Sequence, residues 1–190
     1  PCSYSTAENM LTRAQVCEND TLLITGASGG VGSAAIQLAK ARGARVIAVA
    51  GGKKHQSVLE AGADQALVRG DSLEGALGEN AVDIVIDLVG GENWSELLTI
   101  LRPFGRYAVS GAIAGPIVEL DLRTLYLKDQ QFMGCTVLDD GVFGRLVGLI
   151  EQGEIKPLLA RCFALQSLSE AQAFFLDKQF TGKLVIDMAL

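Results

Sequence analysis

Apolar residues along this chain follow two alternating rhythms. Short, nearly unbroken apolar runs stand at Thr21–Thr25, Arg45–Ala50, Gln65–Val68, Asp83–Leu88, Arg106–Ser110 and Phe132–Val137. Before and between most of them, apolar positions recur at helical spacing over Tyr4–Arg13, Ser33–Arg42, Lys54–Ala61, Ser72–Leu77, Trp94–Leu101 and Leu122–Leu127. Continuous apolar runs mark strands buried on both faces, and strand–helix alternation marks a parallel sheet with helices on each side. The pattern predicts an α/β fold: a doubly wound parallel sheet of six strands, ordered 3-2-1-4-5-6. After about Asp139 the rhythm changes. A helix over Val142–Gln152 carries Phe143, Leu146, Val147 and Ile150 on one face. A strand at Cys162–Leu165, a helix over Leu168–Asp177 and a strand at Lys183–Asp187 follow, and none extends the sheet naturally.

The first crossover carries the clearest chemistry. TLLITGASGGVGSAAIQLAKARGARVIAVA (Thr21–Ala50) is an apolar run, a glycine-rich turn, an amphipathic helix and a second apolar run. Ala27, Gly29 and Gly32 fill the three small-residue positions of G-x-G-x-x-G, with alanine in the first. The N–H groups at the start of such a helix lack intrahelical partners, and its dipole favours a pyrophosphate there. Gly29 lets backbone approach the phosphates, and Gly32 lets the helix pack close to the strand. Ser28 and the N–H groups of Gly30 and Val31 are the expected donors. Val31, Ala34, Ala35 and Leu38 should face the sheet, Lys40 and Arg42 water, and Gly43 should end the helix. Residues 1–138 therefore read as a Rossmann dinucleotide-binding domain and residues 139–190 as a separate C-terminal α+β segment. Ligands of such a sheet lie at the carboxyl ends of its strands, which adds Leu88, Val89, Ser110, Gly111 and Ala112 to the candidate site.

Charge narrows the partners. Sixteen basic against 22 acidic residues leave a formal charge of −6, which disfavours nucleic acid and anionic membranes. No apolar run reaches membrane-spanning length, and nothing reads as a signal peptide, although a chain starting at Pro1 without Met leaves room for an upstream segment. Cys2, Cys17, Cys135 and Cys162 form no C-x-x-C pair and suit reduced thiols, hence a cytoplasmic setting. Charge also bears on the cofactor. Ala50 is followed by Gly51, Gly52, Lys53, Lys54 and His55, with no acidic residue for a ribose 2′-hydroxyl and two ammonium groups for a 2′-phosphate. NADP(H) is expected over NAD(H).

TGASGGVG also fits T-G-x-x-x-G-x-G of the short-chain dehydrogenases, whose chemistry needs a Tyr with a Lys four residues on. Tyr4, Tyr107 and Tyr126 are followed at that distance by Glu8, Gly111 and Gln130, and an N-A-G element is absent, so that reading is disfavoured. Over its whole length the chain resembles the medium-chain dehydrogenase/reductase superfamily, in particular quinone-oxidoreductase-like and zinc-type alcohol dehydrogenase-like members. The resemblance is carried, in order, by PCSYSTAENML, GASGGVG, VLEAGAD, LRPFGRYAVSGAIAG and FTGKLVI. It implies hydride transfer between nicotinamide and a carbonyl, quinone or conjugated double bond of a small-molecule substrate. It also implies that the rest of a GroES-like catalytic domain lies upstream, that residues 139–190 return to complete it, and that this piece alone binds cofactor weakly and does not turn over.

The resemblance further assigns Lys54 and Arg69 to the 2′-phosphate, Thr6 to the nicotinamide, and the backbone at Phe132 and Met133 to the carboxamide. Cys2 aligns with a catalytic zinc ligand, which makes zinc possible without establishing it. Homodimerisation through the edge strand Phe132–Val137 is implied too. The same residues have plainer readings: Ser5 or Thr6 as a helix N-cap, Cys2 as a small buried residue, Phe132 and Met133 as core, Trp94 as packing, and Asp139 and Asp140 as caps of the helix at Val142. A noncatalytic NADPH-binding sensor and an enoyl-reductase module of a multifunctional synthase are the alternative functions.

Overall fold

A computed structural model describes residues 2–189. The elements run α1 (Cys2–Arg13), β1 (Thr21–Ile24), α2 (Gly30–Ala41), β2 (Arg45–Ala50), α3 (His55–Glu60), β3 (Gln65–Val68), α4 (Leu73–Leu77), β4 (Val82–Asp87) and α5 (Trp94–Ile100). They continue as β5 (Leu101–Val109), α6 (Leu122–Leu127), β6 (Gln131–Gly134), α7 (Val142–Glu151), β7 (Leu159–Ala164), α8 (Leu168–Asp177) and β8 (Lys183–Asp187). The first six strands form one parallel sheet in the order β3-β2-β1-β4-β5-β6, as the pattern predicts, and β7 and β8 pair in parallel apart from it.

The apolar strand runs work as expected for a sheet covered twice. Leu22, Ile24, Val46, Ala48, Ile84 and Ile86 point into a core shared with α1, α2, α3 and α7. Leu23, Ile47, Val85 and Tyr107 point to the opposite core, with Trp94, Leu97, Leu98 and Leu73. Alternate residues of a strand face opposite sides, so each apolar run supplies both cores at once. Helix α2 ends as its glycine predicts. Gly43, at φ +80°, gives its N–H to Lys40 O, and Ala44 N–H reaches Ala39 O, a Schellman closure.

Several boundaries differ from the sequence reading. Helix α2 begins at Gly30 rather than Ser33, because tertiary packing overrides the poor helix propensity of two glycines. Lys40 and Arg42 do not simply face water: Lys40 pairs with Asp64, and Arg42 with Glu8. Glu8 also receives Arg145, so one buried carboxylate ties α1, α2 and α7 together. Ser5 and Thr6 lie inside α1 and cap nothing. The cap of α7 is Gly141 in the left-handed region with no side-chain bond, so Asp139 and Asp140 do not cap it; Asp139 stands 3.9 Å from Arg13 instead. The edge strand stops at Gly134, short of Val137. Beyond it the chain turns onto α1, where Arg13 Nη1 donates to Gly134 O at 2.9 Å and Asn9 Nδ2 to Val137 O at 3.1 Å.

Candidate dinucleotide site

Between β1 and α2 the backbone turns through Gly26, at φ +59°, a left-handed value that glycine adopts without strain. Ala27 N–H bonds to Val49 O and Gly29 N–H to Gly26 O, so the turn is tied to β2 and to itself. Gly29 sits at the N-cap of α2 with no side-chain cap. Among the described residues, the N–H groups of Gly30 and Val31 have no backbone partner, as expected of a helix's first turn. Half-buried Ser28 is beside them. A Cβ on Gly32 would stand 2.6 Å from Ala27 Cα, so only glycine permits this helix–strand approach.

A Cβ on Gly30 would collide with Lys183 Nζ and stand 3.0 Å from Ser3 Oγ. An ammonium from β8 and a hydroxyl from α1 thus meet over the helix start where the unpaired N–H groups converge. Neither was singled out from the sequence. FTGKLVI contains Lys183, but only the tertiary fold brings the far end of the chain back to this turn. Residues around β8 also touch α3, where Ser57 Oγ and Thr181 Oγ1 are 2.8 Å apart.

At the ends of β2 and β3 a second group of cations gathers. Lys54 is half-buried, and burial, then the charges of Arg69 and Lys178, pull its pKa below the ordinary lysine value. Arg69 is fixed at the end of β2 by its N–H bond to Ala50 O at 2.8 Å, and Lys178 from the C-terminal segment holds its ammonium 3.5 Å from the Phe175 ring centroid. Among the described residues none of Lys54, Arg69, Lys178 and Lys183 forms an ion pair. Beside them His55 Nε2 is buried without a hydrogen-bond partner. Arg69 lines a crevice of ≈280 Å³ with Thr25, Gly26, Val49, Leu73, Asp87, Val89 and Gly90. Asp71, Glu92 and Glu96 also line it, but Glu96 is occupied by Ser72 Oγ and Leu73 N–H.

At the ends of β4 and β5 the polar side chains are engaged with one another or with backbone. Asp87 is fully buried, and its Oδ1 accepts from Thr25 Oγ1 at 2.6 Å and Val89 N–H at 2.9 Å. Its Oδ2 accepts from Tyr107 Oη at 2.6 Å, and Gly90 N–H lies 3.2 Å from both oxygens. Trp94 Nε1 donates to Tyr107 Oη at 2.8 Å. Burial and the neighbouring Asp87 push the Tyr107 phenol far above its usual range, so it keeps its proton and donates. Leu88 N–H bonds to Thr25 Oγ1, and Ser110 Oγ donates to Cys135 O at 2.6 Å, linking the ends of β5 and β6. Gly111 passes so close to β4 that a Cβ there would stand 2.8 Å from Leu88 O. Ala112 is exposed in the loop that follows.

Thr6 is half-buried one turn beyond Ser3 on α1. Phe132 packs with Trp94 and Tyr107 at centroid distances of 5.9 and 5.2 Å, and Met133 packs against the opposite core. Cys2 is exposed at the start of α1, not a buried filler. Among the described residues no three His, Cys, Asp or Glu converge on a metal position. One candidate thiol does not make a zinc site.

Comparison with known proteins agrees with this geometry. A zinc-binding dehydrogenase family model matches residues 30–152. The chain is 33% identical over 188 residues to the acryloyl-coenzyme A reductase of Metallosphaera sedula, covering 98% of this chain and 56% of that protein. It is 29% identical over 197 residues to the quinone oxidoreductase of Homo sapiens, covering 96% and 59%. A candidate alcohol dehydrogenase from Sinorhizobium meliloti 1021 superposes with a TM-score of 0.90 at 48% identity, over 97% of this chain and 53% of the other. The chain thus spans about half the length of the curated relatives it matches. Sheet order, glycine turn and family match coincide, and this chain belongs to the zinc-binding dehydrogenase family of the medium-chain dehydrogenase/reductase superfamily.

Proposed function

We propose that this chain is the NADP(H)-binding part of an oxidoreductase that moves hydride between nicotinamide and a carbonyl, quinone or conjugated double bond of a small molecule. The observation that carries the cofactor choice is that Arg69, its N–H bonded to Ala50 O at 2.8 Å, stands at the end of β2 beside the Lys53–Lys54 turn, where no acidic residue follows the strand. Mutual repulsion there is unfavourable until an anion of high charge binds among them. A 2′-phosphate has that charge, and a bare ribose hydroxyl does not. Ser28 and the N–H groups of Gly30 and Val31, with Lys183 above them, hold the diphosphate, and Gly29 admits it. Val89 offers an apolar wall, since its N–H and carbonyl are already bonded. Leu88, Ser110, Gly111 and Ala112, with Thr6 and the backbone of Phe132 and Met133, bound the nicotinamide end.

The cofactor supplies the hydride chemistry; this chain binds and orients it. In this reading residues 1–138 are the nucleotide domain. Within residues 139–190, α7 packs into the nucleotide domain's core, and the segment that follows completes a catalytic domain whose remainder lies outside the chain and carries most substrate contacts. Cys2 would be one zinc ligand if the upstream part supplies the others. Two copies pair along the outer edge of β6, flanked by exposed Ile113, Ile117, Leu122 and Leu127. Four free thiols fit a reducing compartment such as the cytoplasm, and no helix of the described residues is long and apolar enough to cross a membrane. Titration of the chain with NADPH and NADH, repeated with Lys54→Ala, tests the reading. Equal affinities with no effect of the substitution would overturn the cofactor choice, and a monomer by sedimentation at high concentration would overturn the pairing.

A further inference from the structure

The Val89–Gly91 turn is held from two sides. From below, Asp87 receives the N–H groups of Val89 and Gly90. From above, the turn holds the next loop: Ala114 N–H donates to Val89 O at 2.9 Å, and Gly91 N–H to Gly115 O at 3.1 Å. The two backbones nest without room for side chains. A Cβ on Gly90 would stand 2.8 Å from Gly115 O, and one on Gly91 2.8 Å from Ala114 Cβ. Loop 111–115 therefore has no independent position over the crevice. Its height is set by the turn, and the height of the turn is set by Asp87.

We propose that Tyr107 and Asp87 are positioning residues for the nicotinamide end of the site, acting through the Val89–Gly91 turn on loop 111–115. The proposal rests on the oxidoreductase reading above. Both carboxyl oxygens hold the turn. Oδ1 holds Thr25 and Val89, on the crevice side. Oδ2 holds the Tyr107 hydroxyl, Gly90 N–H lies 3.2 Å from both oxygens, and the turn bonds the loop through Val89 O and Gly91 N–H. Removing the phenol oxygen leaves Oδ2 with one donor at 3.2 Å and leaves the Trp94 indole N–H without its acceptor. The ring itself keeps its edge contact with Trp94. Loss should therefore loosen the turn at Gly90, and with it loop 111–115, while the Thr25 bond to Oδ1 remains.

The test uses the 190-residue chain and two ligands, NADPH and 2′-phospho-ADP-ribose, which lacks only the nicotinamide. Tyr107→Phe is expected to weaken NADPH about fivefold, because the turn loses one of its supports, while 2′-phospho-ADP-ribose binds as before. Trp94 is the single tryptophan, so its emission should shift in the free variant, and any response to NADPH should move to about fivefold higher concentration. A merely structural role would lower the melting temperature and weaken both ligands alike; that result, or no change in either, overturns the proposal. Should Tyr107→Phe not fold, Asp87→Asn is expected to give the same split between ligands. If the unmodified chain binds neither ligand, the oxidoreductase reading itself falls, an outcome distinct from loss of the split.

Discussion

On the β2–β3 side of the crevice, Lys54, Arg69 and Lys178 form no ion pair among the described residues. On the β4–β5 side, Asp87, Thr25, Tyr107, Trp94 and Ser110 are bonded to one another or to backbone. The first arrangement is charged, repulsive and incomplete; the second is buried and saturated. An incomplete cation group gains most from a ligand and contributes least to folding. A saturated buried network contributes to folding and offers a ligand shape rather than charge. One end of the site therefore discriminates by electrostatics and the other by the placement of backbone.

Substitutions should separate the two ends. The largest effect is expected from Asp87→Ala, which strands two hydroxyl and two N–H donors in the interior. Stability should fall by about 3 kcal/mol, read from the urea midpoint. A loss below about 1 kcal/mol would show that the network is not the structural anchor described. Lys183→Ala should leave that midpoint nearly unchanged and weaken NADPH and NADH alike, about tenfold, as loss of a charge-assisted contact to the shared diphosphate. A loss confined to one cofactor would move Lys183 to a different part of the site. Lys54→Ala should cost NADPH about tenfold and NADH nothing, with a melting temperature unchanged or slightly raised because repulsion with Arg69 and Lys178 is relieved.

The smallest effect expected is on pH. The free Lys54 ammonium loses its proton at lower pH than an ordinary lysine, and a bound 2′-phosphate favours the protonated form. The ratio of NADPH to NADH affinity should therefore decline on the alkaline side earlier than an unperturbed lysine would allow. NADPH binding there should take up protons, measurable in buffers of different ionisation heat. A flat ratio up to the ordinary lysine range would mean that Lys54 is not the contact.

Much of the fold was legible in the sequence because apolar runs buried on both faces leave a mark at every residue. Strands β2, β3 and β8 and helices α6 and α8 fall where the pattern puts them. The misplaced boundaries have local causes that other parts of the chain override. Two glycines open α2, and the edge strand is cut short when Arg13 and Asn9 draw the chain after Gly134 onto α1 rather than onward along the sheet. The cations at Lys53 and Lys54 were visible as an absence of acid after β2. Lys178 and Lys183 were not, since nothing near them in sequence points to a nucleotide.

By itself the sequence determined the six-stranded order, the glycine turn and the basic character of the chain after β2. These depend on periodicity, on the missing Cβ and on charge, which are properties of neighbouring residues. Only the tertiary structure decided that Lys183 and Ser3 meet over Gly30, that Lys178 joins Lys54, and that Asp87 with Tyr107 governs the turn beneath loop 111–115. Those are contacts between elements far apart along the chain, and their energies exist only once the strands and helices have packed.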